Sequence, residues 1–244
     1  MASCCVGNEV FADPFPVTSP GLPPQIVPSA PEVGVTILQM PNGGSDISGV
    51  PSGIDATSGG GISSGSGSAY ATLMATDYGN AAANDAQQAG VSIDALAAIG
   101  QAESGFQNIP TANGSSSATG PWQITAGTFA DINAKYSLGY SASDITNPAA
   151  QAAVASYIIK DYANTVSQAT QQPATVVQTY GAYVFGPSAG ANIATADPST
   201  PLSQFVSATG LANNNMQGWT VGQFNATMGG RLGSTANEMA LSSF

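Results

Sequence analysis

From Ser68 onward, apolar positions recur at three- and four-residue spacing, the period of an amphipathic helix. Tyr70, Leu73, Met74, Asp77, Tyr78 and Ala81 follow it, and Gly90 ends the helix they predict. Ser92 is a suitable N-cap for the next helix, with Asp94 favourably placed against its dipole. Ile93, Leu96, Ala97, Gly100 and Glu103 then share one face. Thr125 caps a short helix carrying Phe129 and Ile132. Asn147-Pro148 is a cap followed by proline at the first helical position. The helix it opens runs to about Ala169, with Val154, Tyr157, Ile158 and Tyr162 inward. Pro173 starts another through Val176, Val177 and Tyr180, and shorter helices follow near Ala189–Ala196 and Leu202–Ala208. Trp219–Phe244 reads as one or two small helices separated by Gly229-Gly230 and Gly233. No run of alternating strands follows residue 68, so the expected class is mainly α.

The first 67 residues have a different texture. Prolines recur at 14, 16, 20, 23, 24, 28, 31, 41 and 51, and Ser58–Ser68 is a Gly/Ser linker. Val33–Leu38 could form one short strand, which alone would have no partner. The zone reads either as a disordered arm or as an arm that docks on another protein. Phe11, Phe15, Ile26, Ile37 and Leu38 favour docking, because a pure spacer would not need them. The expected organisation is an extended arm and linker over 1–67, a catalytic domain over 68–210 and a C-terminal helical extension over 211–244.

Composition narrows the function. An apolar content of 43% is enough for a packed core. The net charge is −11, with Lys135, Lys160 and Arg231 as the whole complement of bases. Nucleic-acid binding needs Lys/Arg stripes and is therefore not expected. The chain has no histidine, which removes Ser-His-Asp and Cys-His catalysis and the usual zinc sites. Adjacent Cys4 and Cys5 read as exposed thiols on the arm, since neighbouring cysteines rarely form an unstrained disulfide. No window approaches the ~20 apolar residues of a membrane span. The first residues lack the basic start and apolar core of a conventional signal peptide.

The candidate chemistry centres on Glu103, in Ala102-Glu103-Ser104-Gly105-Phe106 at the end of an apolar helical run. A carboxylate on a buried stripe is poorly hydrated, which raises its pKa toward the range of a general acid. Two more blocks follow: Gly120-Pro121-Trp122-Gln123-Ile124 and Ala182-Tyr183-Val184-Phe185-Gly186-Pro187. Gln123 is either a core amide or a sugar-contacting group, and Tyr183 either core packing or a donor at the site. Trp122 is either a cleft wall or a core aromatic. The loop Ser115–Thr119 either contacts acetamido groups or is an ordinary surface loop.

In order and spacing, these three blocks resemble the motifs of the SLT-type lytic transglycosylases of the goose-type lysozyme-like superfamily. The first family motif is a Glu-Ser pair, a variable residue and an aromatic. The second is Gly, two larger residues, Gln and an aliphatic. The third is usually Ala-Tyr-Asn-x-Gly. Val184 stands where asparagine is usual, which removes whatever hydrogen bond that side chain would supply. The resemblance covers roughly residues 69–195. It implies a lysozyme-like helical fold and cleavage of peptidoglycan strands between N-acetylmuramic acid and N-acetylglucosamine. Glu103 is then the sole acid/base, first protonating the leaving oxygen and then taking the proton of the sugar's own 6-hydroxyl. The product is a 1,6-anhydro sugar, and no cofactor or metal is implied. Ser104, Gln123, Tyr183, Trp122 and Phe106 are the implied substrate-site residues, with the Tyr183 hydroxyl orienting Glu103.

The expected setting is the bacterial cell wall. A long Pro/Gly-rich arm before a compact lytic domain suits a component of a phage particle, or of a secretion machine, with the arm held by a protein partner. Two rival readings remain. A hydrolytic muramidase would need a second carboxylate. Asp131 and Asp161 look like solvated helix positions and Asp144 like a turn residue. A catalytically inactive assembly protein would keep the cleft without turnover.

Overall fold

A computed structural model describes residues 65, 67–110 and 118–242. The expectations for the arm, for Val33–Leu38, for Cys4 and Cys5 and for most of the Ser115–Thr119 loop lie outside the described residues. Among the described residues nine α-helices follow one another: α1 (Ser68–Met74), α2 (Gly79–Ala89), α3 (Ile93–Ser104), α4 (Ala126–Tyr136), α5 (Pro148–Thr170), α6 (Val176–Phe185), α7 (Pro187–Thr195), α8 (Ala208–Asn213) and α9 (Val221–Leu232). Short 3-10 helices cover Ala142–Thr146, Leu202–Gln204 and Gly233–Asn237. Among the described residues β-structure is limited to isolated bridges, so the expected mainly α class holds. No described helix is long and apolar enough to cross a membrane.

Helix α3 is the centre of the fold. Ile93, Ala95–Gly100, Glu103 and Ser104 are all buried, because α1, α2, α5 and α9 pack around them. A helix enclosed on most sides can be apolar nearly all round. Alanine and glycine let the neighbours come close. A Cβ at Gly100 would meet the Phe106 ring at 2.7 Å and the Trp122 indole nitrogen at 2.9 Å. The 23-residue α5 packs against α2, α4, α6 and α7.

Most helix boundaries follow the sequence signals. Gly90 ends α2 in the left-handed conformation (φ 75°), Thr125 caps α4 and Asn147 caps α5 through its Oδ1. Other details differ. Ser92 stands before α3 without a side-chain cap bond, and the helix expected over Leu202–Ala208 is a 3-10 turn at Leu202–Gln204, with α8 starting at Ala208. The helix expected from Tyr70 to Gly90 breaks after Met74, and the chain folds back so tightly that a Cβ at Gly79 would meet the Leu73 carbonyl oxygen at 2.4 Å. Helix α6 starts after Thr175, not at Pro173, because Thr175 and Gln178 form a reciprocal capping box. Helix α9 runs straight through Gly229-Gly230, since Met228 and Leu232 are both buried and hold its inner face.

The last described segment is a strap. Ser92 N–H donates to the Ala240 carbonyl and Val176 N–H to that of Glu238. Ala240 N–H donates to Ala174, and Ser242 N–H to Gly90. Residues 238–242 thereby tie the start of α3 to the start of α6. Helix α9 packs on both α3 and α6, with Phe224 against Phe185 at a centroid distance of 5.5 Å.

Candidate active site

Glu103 sits in the last turn of α3 and is 2% exposed. Neither carboxyl oxygen has a hydrogen-bond partner, and the buried Tyr180 hydroxyl has none either. Burial pushes the Glu103 carboxyl up to about 8, against weaker opposition from the neighbouring Tyr180 hydroxyl and the charge of Arg231. The C-terminal end of a helix, with its outward carbonyls, adds a further bias against a carboxylate. The group is thus held as a neutral acid at neutral pH, the state a proton donor requires. Burial, and then the charge on Glu103, also hold the Tyr180 phenol well above its ordinary range.

The chain leaves α3 through two consecutive left-handed residues, Gly105 (φ 62°) and Phe106 (φ 63°). For phenylalanine this is strained by roughly 1–3 kcal/mol. Packing holds it: the Phe106 ring meets Trp122 edge-on at 6.1 Å, and the Tyr78 hydroxyl donates to the Phe106 carbonyl at 3.2 Å.

The second block is a tight turn closed by paired hydrogen bonds between Thr119 and Ile124. Side chains from three helices grip its backbone. Ser104 Oγ, on α3, donates to the Pro121 carbonyl at 2.7 Å. Tyr183 Oη, on α6, donates to the Trp122 carbonyl at 2.7 Å. From α5 the fully buried Gln151 accepts from Trp122 N–H at 3.2 Å and donates to the Thr119 and Ile145 carbonyls. Gly120 (φ 74°) is required twice, since a Cβ there would also lie 2.2 Å from Gln151 Nε2. Trp122 is fully enclosed, its indole N–H donating to the Leu96 carbonyl at 3.0 Å.

These contacts place the sequence-derived site residues. Ser104 and Tyr183 pin the turn, and neither hydroxyl is spent on the Glu103 carboxyl. Trp122 and Phe106 are buried, and their rings face the core in this conformation. Gln123 is also buried, in a left-handed conformation (φ 47°) with Nε2 on the Gly120 carbonyl at 2.8 Å. It lines a small depression with Tyr183, Tyr162, Ile158 and Thr128. Val184 is a fully buried core residue.

The three carboxylates weighed above as a second acid have structural employment or lie open to solvent. Asp161 pairs with Lys135 at 2.7 Å and accepts from the Tyr136 hydroxyl. Asp144 forms a capping box with Ser141, and Asp131 is exposed. Among the described residues no cluster of three or more acidic or cysteine side chains could hold a metal ion. Two participants escaped the sequence reading. Tyr180 lies three residues before Tyr183, one helical turn away, so the paired tyrosines were a usable signal. Gln151 is an amide within an alanine run facing the core, a position where an unpaired polar group would be costly.

No curated protein matches the chain. Among solved structures, an X-ray structure of an inactive mutant of the lytic transglycosylase Slt from Pseudomonas aeruginosa is similar over 70% of this chain and 27% of that one, at 16% identity and a TM-score of 0.44. The chain therefore corresponds to about a quarter of that protein's length. The family model described as Transglycosylase SLT domain matches residues 80–200, so the chain carries an SLT transglycosylase domain over a span that holds Glu103, the pinned turn and both α6 tyrosines.

Proposed function

We propose that the protein is a peptidoglycan lytic transglycosylase that cleaves the β-1,4 bond between N-acetylmuramic acid and N-acetylglucosamine with Glu103 as the sole acid/base. The observation that carries this reading is the buried, unpartnered Glu103 carboxyl, neutral up to about pH 8. In the first step its proton passes to the bridging oxygen as the bond to the muramoyl C1 breaks. Positive charge then develops on the ring beside the newly formed carboxylate. In the second step the 6-hydroxyl oxygen of the same sugar bonds to C1, and its proton returns to Glu103. No water is consumed, and the acid is regenerated. Gln123, Ser104, Tyr183, Trp122 and Phe106 shape the substrate site, mostly by fixing the turn opposite Glu103. The domain spans 68–210, with 211–244 as its helical extension.

The reading extends to the setting. Residues 1–67 serve as an arm, its Gly/Ser linker giving the lytic domain reach, that anchors it to a partner in a phage particle. The spaced apolar residues of a proline-rich segment support this. Deleting residues 1–57 is expected to leave activity in solution intact and abolish incorporation into the assembly. Normal incorporation would overturn the anchoring role.

Mass spectrometry of digested peptidoglycan tests the chemistry. The expected muropeptides lack one water relative to hydrolysed ones, and Glu103→Gln lowers their release by roughly 10²–10⁴-fold. Dominant reducing-end products would assign the protein to the hydrolases instead.

A further inference from the structure

Helix α9 carries Gly229 and Gly230 in its interior, although glycine is the weakest helix former after proline. Packing requires neither. A Cβ at Gly229 would meet only that of Ala236, at an ordinary 3.9 Å, and one at Gly230 would meet nothing within 4 Å. Neither residue has a positive φ. What the missing side chain at Gly229 leaves is space. A cavity of about 470 Å³ opens between the start of α6, α9 and the 3-10 helix Gly233–Asn237, with Gly229 in its wall and Gly230 outside it. That volume falls in the ~300–1,000 Å³ range of small-molecule sites. Glu103, Gln123 and Tyr183 take no part in the lining. Tyr183 lies further along α6 than the lining residue Gln178, by roughly 7–8 Å of helix.

No charged side chain lines this cavity, so an ionic ligand would find no partner in it. Its polar side chains include three carboxamides. Asn225 and Asn237 enter from α9 and from the 3-10 helix, and neither side chain makes a hydrogen bond among the described residues. Gln178 is fixed on α6, its Oε1 accepting from Thr175. Buried Val177 and Ala236 supply apolar wall. A carboxamide carries both donor and acceptor, the complement of an acetamido group, which donates through N–H and accepts through its carbonyl. The acetamido methyl suits the apolar wall. A peptide would need pockets for alternate side chains, and the small residues here form none. We propose that this cavity, walled by elements beyond the matched family domain, is a second glycan site that holds an N-acetylated sugar by its acetamido group, apart from the bond being cut. The inference rests on the transglycosylase reading for the strand, whose two alternating sugars are both N-acetylated, but not for its test.

The probes are chitotriose, the trimer of N-acetylglucosamine, and cellotriose, the same scaffold with hydroxyls in place of acetamido groups. Binding to the 15N-labelled full chain is followed by NMR at the side-chain amides of Asn225 and Asn237, which separates this cavity from the Glu103 site. Chitotriose should shift both signals and cellotriose neither. Gly229→Leu fills the cavity and should weaken this binding at least tenfold, read at the same amides. Gly230→Leu, the same change one residue on, should leave it unaltered. Both leucine variants should melt no lower than the unsubstituted protein, since leucine is the better helix former. Asn225→Ala and Asn237→Ala should each weaken binding by roughly three- to tenfold, read at the amide that remains. Unmoved Asn225 and Asn237 signals would overturn the proposal, as would equal shifts with cellotriose or equal binding by the two leucine variants. Turnover of peptidoglycan is recorded separately. Its absence beside the expected shifts would count against the transglycosylase reading and leave the cavity's role standing.

Discussion

The turn from Thr119 to Ile124 and the carboxyl of Glu103 both lie against the end of α3, and their polar atoms are treated in opposite ways. In the turn, the carbonyls of Thr119, Gly120, Pro121 and Trp122 each accept at least one hydrogen bond, from Gln151, Gln123, Ser104 and Tyr183 respectively. A few ångströms of chain away, both Glu103 oxygens and the Tyr180 hydroxyl have none. A buried unsatisfied polar group costs on the order of 1–3 kcal/mol. A fold that satisfies these four carbonyls and leaves the neighbouring carboxyl unpaired holds that carboxyl at a cost in stability. The pinned turn is scaffold, and the unpartnered carboxyl beside it is the group to which the proposed function assigns the chemistry.

Two substitutions should therefore move stability in opposite directions, measured by urea unfolding across pH 4–8. Gln151→Leu should have the larger effect, a loss of about 2–4 kcal/mol at every pH, because it strands Trp122 N–H and the Ile145 carbonyl. Glu103→Gln should be smaller and of opposite sign at high pH. The folded value of Glu103, about 8, exceeds its ordinary 4.5. Its contribution is thus fully present below about 4.5 and is lost as pH rises through about 8. Glu103→Gln should match the unsubstituted protein at pH 4 and exceed it at pH 8 by on the order of 1–4 kcal/mol. A residual slope up to about pH 6 belongs to Asp85, which burial also raises. Equal stability at pH 8 would erase the contrast between turn and carboxyl.

Much of the frame was legible from spacing. The stripe from Ile93 to Glu103, the caps at Thr125 and Asn147 and the stop at Gly90 needed only period and cap chemistry. The break after Met74 was not legible, because Gly79 acts through a close approach between segments rather than through local propensity. Glu103 was identifiable as a desolvated acid before any coordinates, since acids are few and its helix is apolar. The partners of Ser104 and Tyr183 were not. Sequence places both near the acid, and tertiary packing turns their hydroxyls to backbone carbonyls instead. Gln151 acts across elements remote in sequence, so its partners in the turn were not legible.

The central claim is that Glu103 stays protonated in the folded protein at neutral pH. The chain holds four glutamates, Glu9, Glu32, Glu103 and Glu238, few enough to resolve individually by NMR of δ-13C-labelled glutamate. One resonance, missing from the Glu103→Gln spectrum, should titrate near pH 8. A Glu103 resonance that ionises near the ordinary 4.5 would contradict the account.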